Sequence, residues 1–167
     1  MNKSKIVLVV HNVRSALNVG SLLRTSDGLG VEMVYLTGYS PYPEVHSDVR
    51  LPHVRLRATK QIHKTALGAE ETVEWEHRPD VISLIDKLGK DNFTVIALEQ
   101  TKDAQKLQDF KPEGDVALIV GNEVDGLEKE ILRLVDSRVE IPMLGQKESF
   151  NVAVAAAIGL YHLRFKI

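Results

Sequence analysis

This chain has no cysteine, no long apolar run and no excess of basic residues. Without cysteine it has no disulfide, no cysteine-ligated metal and no cysteine nucleophile, and we expect no metal cofactor. The first apolar stretch, residues 6–10, is too short for the apolar core of a signal peptide or for a membrane span. We therefore expect a cytoplasmic protein that does not associate with membranes.

The charge balance gives no support for a nucleic-acid partner, since 21 Lys and Arg residues face 23 Asp and Glu residues. Proteins that neutralise phosphates often carry a basic excess, so an RNA site here requires a local patch. The densest basic segment, residues 50–64, contains Arg50, His53, Arg55, Arg57, Lys60, His63 and Lys64. It is interpreted either as such a patch or as an ordinary solvated surface.

The 167 residues contain no repeat and no linker-like tract, which predicts a single domain over residues 1–167. Strands are predicted at 6–10, 32–36, 93–98, 116–120 and 138–141, and helices at 18–29, 60–67, 79–88, 127–135 and 149–165. This alternation indicates an α/β fold, a mainly parallel sheet with helices on both faces. Residues 38–53 are predicted to form a long loop, of a length that is usually functional or mobile.

Three polar segments follow predicted strands, at residues 11–24, 121–127 and 142–151. Because ligands of open parallel sheets bind beyond the carboxyl ends of the strands, these segments are the candidate site.

In the first segment, Asn18 is placed near the start of a helix. An apolar stripe of that helix, predicted to face the sheet, comprises Val19, Leu22, Leu23 and Ser26. Asn18 and Arg24 then project away from the sheet, near a helix N-terminus that favours a phosphate or ribose. The alternative is an asparagine cap and a surface arginine.

In the second segment, Gly121 allows a ligand to approach the backbone and Gly126 allows a positive φ. Glu123 and Asp125 place carboxylates at the strand end. The alternative is a strand–turn–helix junction with solubilising acids.

The third segment begins where Pro142 ends a strand, and a polar loop follows. Ser149 and Asn151 then begin a helix of small and apolar residues that must be covered on several sides. A second subunit is one candidate cover. The alternative is a buried C-terminal helix with a serine cap.

Together, these segments resemble the SpoU (TrmH-type) branch of the SPOUT RNA methyltransferases. Asn18 with Leu23-Arg24-Thr25 looks like the first family motif, and Gly121-Asn122-Glu123 with Gly126-Leu127 looks like the second. Ile141-Pro142-Met143, followed by Ser149-x-Asn151-Val152, looks like the third. The motifs stand in the family's order across nearly the whole chain. Phe150 stands where the family more often has leucine or methionine.

The resemblance implies the SPOUT fold with a C-terminal trefoil knot, and a homodimer with the last helix in the interface and a shared active site. It implies S-adenosyl-L-methionine as cofactor and the ribose 2′-hydroxyl of RNA as methyl acceptor, with tRNA expected over rRNA. The chain is similar to a minimal catalytic domain, without the extra RNA-binding domain of some relatives. By match, the cofactor contacts are Leu98, Gly121, Ile141, Met143 and Ser149.

The catalytic residues implied by the resemblance are Asn18, Arg24, Glu123, Ser149 and Asn151. A guanidinium stays protonated in proteins, so either a phosphate or another neighbouring group relays the hydroxyl proton, or Arg24 stabilises the developing alkoxide. Asn18 is expected to orient Arg24 or the ribose, and Glu123 to hold Asn18 or Arg24. Ser149 and Asn151 are expected to contact the cofactor and the RNA backbone.

Three other functions are kept as alternatives: base methylation, a non-catalytic RNA-binding homologue, and a generic α/β nucleotide-binding domain. The last of these would prefer ATP or NAD, yet the chain contains neither a P-loop nor a GxGxxG motif.

Overall fold

The computed structural model describes residues 4–165. The strands are β1 Ile6–His11, β2 Met33–Thr37, β3 Trp75–Arg78, β4 Phe93–Leu98, β5 Gln105–Lys106, β6 Asp115–Val120 and β7 Ser137–Glu140. The helices are α1 Ala16–Leu29, α2 Pro52–Ala66, α3 Ala69–Thr72, α4 Val81–Lys90, α5 Lys129–Leu134 and α6 Val152–Phe165. A single 3₁₀ turn, Leu107–Asp109, follows β5.

The seven strands form one sheet in the order β3-β2-β1-β6-β4-β7-β5, and every pairing is parallel. All carboxyl ends therefore lie along one edge of the sheet. This architecture confirms the predicted α/β fold. The trefoil knot stays a prediction.

Helices cover both faces of the sheet, as the pattern along β1 shows. Leu8 and Val10 point into the cluster that contains α1, α2 and α6, whereas Val7 and Val9 point into the cluster under α4 and α5. Every residue of β1 is buried. A strand buried on both faces explains the continuous apolar run in the sequence.

Several predicted boundaries were wrong. Helix α2 begins at Pro52, eight residues earlier than predicted, because proline is well suited to the first helical turn. The short elements β3, β5 and α3 were not predicted. Strand β3 reads Trp-Glu-His-Arg and lies at an edge of the sheet, so it lacks the apolar signature of a buried strand.

The helix caps also differ from the sequence prediction. Helix α1 begins at Ala16, and the Ser15 hydroxyl accepts the Asn18 backbone N–H, so the alternative in which Asn18 is the cap was wrong. At α6 the Asn151 side chain accepts the backbone N–H of Ala153, which makes Asn151, rather than Ser149, the capping residue. The predicted apolar stripe of α1 is fully buried, as expected: Val19, Leu22, Leu23 and Ser26.

Helix α6 has one buried and one exposed apolar face. Its buried face includes Ala153, Ala156 and Leu160. Its exposed face carries Val154, Ile158, Tyr161 and Phe165, which are between 38% and 54% exposed. Residues 4–165 include no helix that is both long and apolar enough to cross a membrane.

Candidate active site

A pocket opens at the carboxyl ends of β4, β6 and β7. Its walls combine apolar residues, carboxylates, neutral polar side chains and two glycines: Leu98, Glu99, Gln100, Val120, Gly121, Asn122, Glu123, Val124, Gly126, Glu140, Ile141, Ser149, Phe150, Val152 and Ala155. Four of the five residues predicted to contact the cofactor lie in this wall. The fifth, Met143, is half-buried and is not part of the lining, so its role stays a prediction.

The Glu123 carboxylate joins the turn after β6 to the start of α1. It accepts hydrogen bonds from the backbone N–H groups of Arg14 (3.0 Å) and Ser15 (3.2 Å) and from the Asn18 side-chain amide (2.9 Å). Partial burial disfavours its charge, but these hydrogen bonds outweigh burial and hold the pKa of Glu123 below its ordinary value. Glu123 is therefore an anion that fixes Asn18.

Asn151 joins the third segment to the same group. Its side-chain amide donates to the Asn18 carbonyl oxygen at 3.1 Å. Asn18 is thus held from both sides, by residues that lie 105 and 133 positions away in the chain. The structure brings the three polar segments together through Asn18, Glu123 and Asn151, and Ser149 lies nearby in the pocket wall.

Asn122 locks the turn beside Glu123. Its side-chain oxygen accepts the backbone N–H groups of Val124 and Asp125, and its amide donates to the Asn12 carbonyl and the Tyr39 hydroxyl. Only 7% of Asn122 is exposed, and both its amide group and its side-chain oxygen are hydrogen-bonded within the protein. The sequence prediction quoted Asn122 within a motif but gave it no role.

Glu99 is a second residue that the sequence reasoning missed. It follows β4 directly, lines the pocket, and its carboxylate accepts the Leu127 backbone N–H at 2.9 Å. Gly126 has a φ of +68°, a backbone conformation that favours glycine, and a Cβ there would press on the Glu99 carboxylate. The strand-end rule that selected the other segments could have found Glu99 as well.

Arg24 lies apart from this group in the same chain. It is exposed, and no residue in the described range 4–165 forms a hydrogen bond or ion pair with its side chain. Six residues along α1 place it about 9 Å beyond Asn18 along the helix axis. The structure therefore assembles the Asn18 group but does not bring Arg24 into it.

The chemistry of the pocket fits S-adenosylmethionine. Leu98, Ile141 and Val152 offer apolar surface for a flat adenine ring, and the carboxylates of Glu99 and Glu123 favour a cationic sulfonium or ammonium group. This pairing of apolar walls and acids lies beyond the carboxyl ends of parallel strands, where such folds bind nucleotide-like ligands.

Fold and site together define an α/β protein with a ligand pocket at the carboxyl edge of a parallel sheet. The model of the SpoU rRNA Methylase family matches residues 5–161, so the chain belongs to this family. This match confirms the resemblance found in the three motifs.

Two relatives illustrate the range of this family. The chain is 29% identical to the tRNA (guanosine(18)-2′-O)-methyltransferase of Thermus thermophilus, over 93% of this chain and 72% of that protein. It is 27% identical to a Staphylococcus aureus protein assigned to the TrmH family of tRNA/rRNA methyltransferases, over 94% of this chain. The match spans only 57% of the Staphylococcus protein.

A solved structure shares the fold. The AdoMet-bound rRNA methyltransferase of Sinorhizobium meliloti superposes with a TM-score of 0.80 at 21% identity, covering 99% of this chain and 58% of the other. The similarity extends over the whole described sheet and its helices.

Proposed function

We propose that this protein transfers a methyl group from S-adenosylmethionine to a ribose 2′-hydroxyl of RNA. The observation that carries the proposal is the hydrogen-bonded group Asn151–Asn18–Glu123 at the mouth of an acidic and apolar pocket. The Thermus relative is named for this reaction on tRNA. The pocket lined by Leu98, Gly121 and Ile141 would hold S-adenosylmethionine, which would supply an electrophilic methyl group. Transfer of that methyl to the 2′-oxygen would release S-adenosylhomocysteine with the electrons of the carbon–sulfur bond, and the hydroxyl proton would pass to a neighbouring RNA phosphate.

Asn18 is suited to orient the ribose. One of its amide hydrogens is directed to Glu123, and its carbonyl oxygen accepts from Asn151. The second amide hydrogen stays available for a hydroxyl oxygen, in a direction fixed by the other two bonds. Preorganised donors of this kind lower the barrier because they need no reorganisation during the reaction.

Arg24 completes the site, in this proposal, from the second subunit of a homodimer. The exposed apolar stripe of α6 has spacing i, i+4, i+7 and i+11 and is typical of a covered interface. Helix α1, which carries Arg24, packs against α6. A two-fold dimer through this stripe would, in this proposal, bring each Arg24 to the partner's pocket.

The RNA contacts, in this proposal, come from part of the basic segment 50–64. Arg50 pairs with Asp48, Arg55 pairs with Glu44, and His63 bonds to Glu70. The remaining basic residues of the segment form what we name the α2 stripe: His53, Arg57, Lys60 and Lys64.

The α2 stripe lies along one face of the helix, and its side chains are not paired with acidic residues in the part of the chain that the structure describes. All four side chains are exposed and follow i, i+4, i+7 and i+11 spacing on one face of the helix. No member forms an ion pair with any of the residues that the structure describes. The stripe extends about 17 Å along the helix axis and suits a run of RNA phosphates.

The position of α2 connects the stripe to the site. The Thr65 hydroxyl donates to the Leu17 carbonyl at 2.8 Å, directly before Asn18. Gly20 permits this approach, since a Cβ there would collide with Thr65 and the Ile62 carbonyl. RNA phosphates bound along α2 would therefore run toward Asn18.

Transfer RNA is the substrate class that we favour over ribosomal RNA, and we place the protein in the cytoplasm, where tRNA is modified. The Thermus relative is named for a tRNA nucleotide.

The experiment mixes two inactive variants. Arg24→Ala and Asn18→Ala are purified separately and are each expected to lose at least about 100-fold in methyl transfer to unmodified tRNA transcripts. Equal mixing forms heterodimers with one intact site, which should restore about a quarter of wild-type activity. Labelled methyl is counted in RNA, and nucleoside digestion identifies the product.

Controls separate the alternatives. Both variants must bind S-adenosylmethionine with wild-type affinity, since neither residue lines the pocket. Methyl on a base instead of ribose would replace this proposal with base methylation, and an inactive wild type would favour the non-catalytic homologue. Binding of ATP or NAD in place of S-adenosylmethionine would indicate the generic nucleotide-binding domain. Failure of the mixture to recover activity would overturn the shared site.

A further inference from the structure

Tyr39 follows β2 and exposes 60% of its surface, although Thr37 and Ser40 beside it are 0% and 1% exposed. We propose that the Tyr39 ring is a platform on which a base of the bound RNA stacks next to the methylation site. This inference rests on the proposed function, because it assigns a contact to the RNA substrate of the same site. Three features of the structure support it.

The backbone at Tyr39 is held on both sides. The Gly38 N–H donates to the Pro79 carbonyl at 3.1 Å, and the Tyr39 N–H donates to the Asn12 side-chain oxygen at 3.1 Å. The Ser40 hydroxyl donates to a strand carbonyl and is buried. An exposed ring on such a backbone has a defined position.

Asn12, which holds Tyr39, is itself fixed. It adopts a left-handed φ of 54°, and its amide donates to the Glu128 carboxylate at 2.8 Å. The same amide lies 2.9 Å from the His11 ring nitrogen Nε2. That nitrogen also lies 3.2 Å from the Glu128 carboxylate, so His11, Asn12 and Glu128 form one polar cluster. Burial lowers the pKa of His11 despite the opposing Glu128 carboxylate.

The far end of the ring is tied to the pocket. The Tyr39 hydroxyl accepts from the Asn122 amide at 2.7 Å, and Asn122 lines the pocket next to Glu123. A ring that is held at both ends loses little conformational freedom when a base stacks on its open face. Exposed aromatic rings are the usual partners of unstacked RNA bases.

The surroundings of Tyr39 favour a base over a protein partner. Its hydrogen-bond partners Asn12 and Asn122 are polar, and Asn12 in turn bonds to the Glu128 carboxylate. The exposed stripe of α6 is the contrasting case, with four apolar side chains on one face, as protein interfaces require.

The test compares Tyr39→Leu, which removes the aromatic face, with Tyr39→Phe, which keeps it. Binding is measured for a short single-stranded RNA and for an oligomer of equal length that carries abasic residues. Tyr39→Leu should weaken binding of the normal oligomer about tenfold and leave the abasic oligomer unchanged. Tyr39→Phe should bind both oligomers as the wild type does, apart from a small loss from the missing hydroxyl.

Two controls make the outcome specific. The S-adenosylmethionine affinity and the solution mass of Tyr39→Leu should match those of the wild type. Equal losses for both oligomers, no loss for either, or a change from dimer to monomer would each overturn the stacking assignment. A wild type that binds oligomers but transfers no methyl would refute the proposed function and leave the stacking result intact.

Discussion

The basic segment 50–64 contains two kinds of basic residue: some are paired with acidic residues, and others are exposed to solvent without an acidic partner among the described residues. Arg50 is enclosed: its guanidinium bonds to Asp48 and to the carbonyls of Tyr42 and Pro43. It also lies 3.5 Å from the centroid of the Tyr42 ring, which stacks on His77. The α2 stripe (His53, Arg57, Lys60 and Lys64) points into solvent and has no such partner within residues 4–165.

The number of basic residues in a segment therefore does not measure the positive potential at its surface, because some of those residues are paired with acids. Arg50 holds the loop after β2 in place, and Asp48, its partner, has a side chain with no exposed surface. The charge of Arg50 is neutralised by Asp48, so Arg50 contributes little to binding a phosphate. The α2 stripe, in contrast, is free to release counterions from RNA. The loop predicted to be functional or mobile is held in place by this cage of Tyr42, Asp48, Arg50 and His77.

The largest expected effect comes from breaking the cage. Arg50→Met leaves the buried Asp48 carboxylate without its partner and should lower the melting temperature by about 10 °C. Thermal unfolding followed by circular dichroism measures this. The matched control is Arg78→Gln, which removes an exposed pair with Glu76 and should shift melting by less than about 3 °C. Equal shifts in melting temperature for the two variants would show that the Arg50–Asp48 pair stabilises the fold no more than an exposed ion pair does.

The next effect concerns the α2 stripe. Lys60→Gln/Lys64→Gln should weaken RNA binding about tenfold and reduce the slope of log Kd against log salt by about 1.4 to 1.8. Melting should be unchanged, because both side chains are exposed. Titrations of tRNA at several salt concentrations provide the measurement.

The control for the stripe carries the same change in charge on the other face of the sheet. Lys129→Gln/Arg133→Gln alters two exposed cations of α5 and should leave the salt slope within error. If this α5 variant loses as much affinity as the α2 variant, the RNA surface is not confined to α2.

The smallest effect is the pH dependence of the cage. The hydrogen bond from the Arg50 guanidinium outweighs burial and holds the pKa of Asp48 well below its ordinary value. A lowered pKa in the folded state stabilises the protein above the unfolded pKa of about 3.9, and this contribution is lost as the pH falls below it. Urea unfolding should therefore show no loss from the cage between pH 7 and pH 5, and a loss below about pH 4. Asp48→Asn should flatten that acid limb, and an unchanged limb would contradict the assignment.

Much of the fold could be predicted because buried positions recur with the local periodicity of apolar residues along a strand or helix. The run at residues 6–10 became a strand buried on both faces, and the stripe at Val19, Leu22, Leu23 and Ser26 became the buried face of α1. The order of strand-end segments also located the site, since parallel strands bring their carboxyl ends to one edge. Elements with a weak apolar pattern, such as β3, escaped prediction because their pairing depends on neighbouring strands.

The sequence by itself determined the α/β class, the buried strands and helix faces, and the three motifs that identify the family. Only the tertiary structure decided which residues meet: that Asn18 is held by Glu123 and Asn151, that Arg50 is cancelled while Lys60 and Lys64 stay free, and that Tyr39 is both pinned and exposed. Burial repeats along a helix or strand and is therefore visible locally. Hydrogen-bond and charge partners lie up to 160 positions apart, so they emerge only from the path of the folded chain.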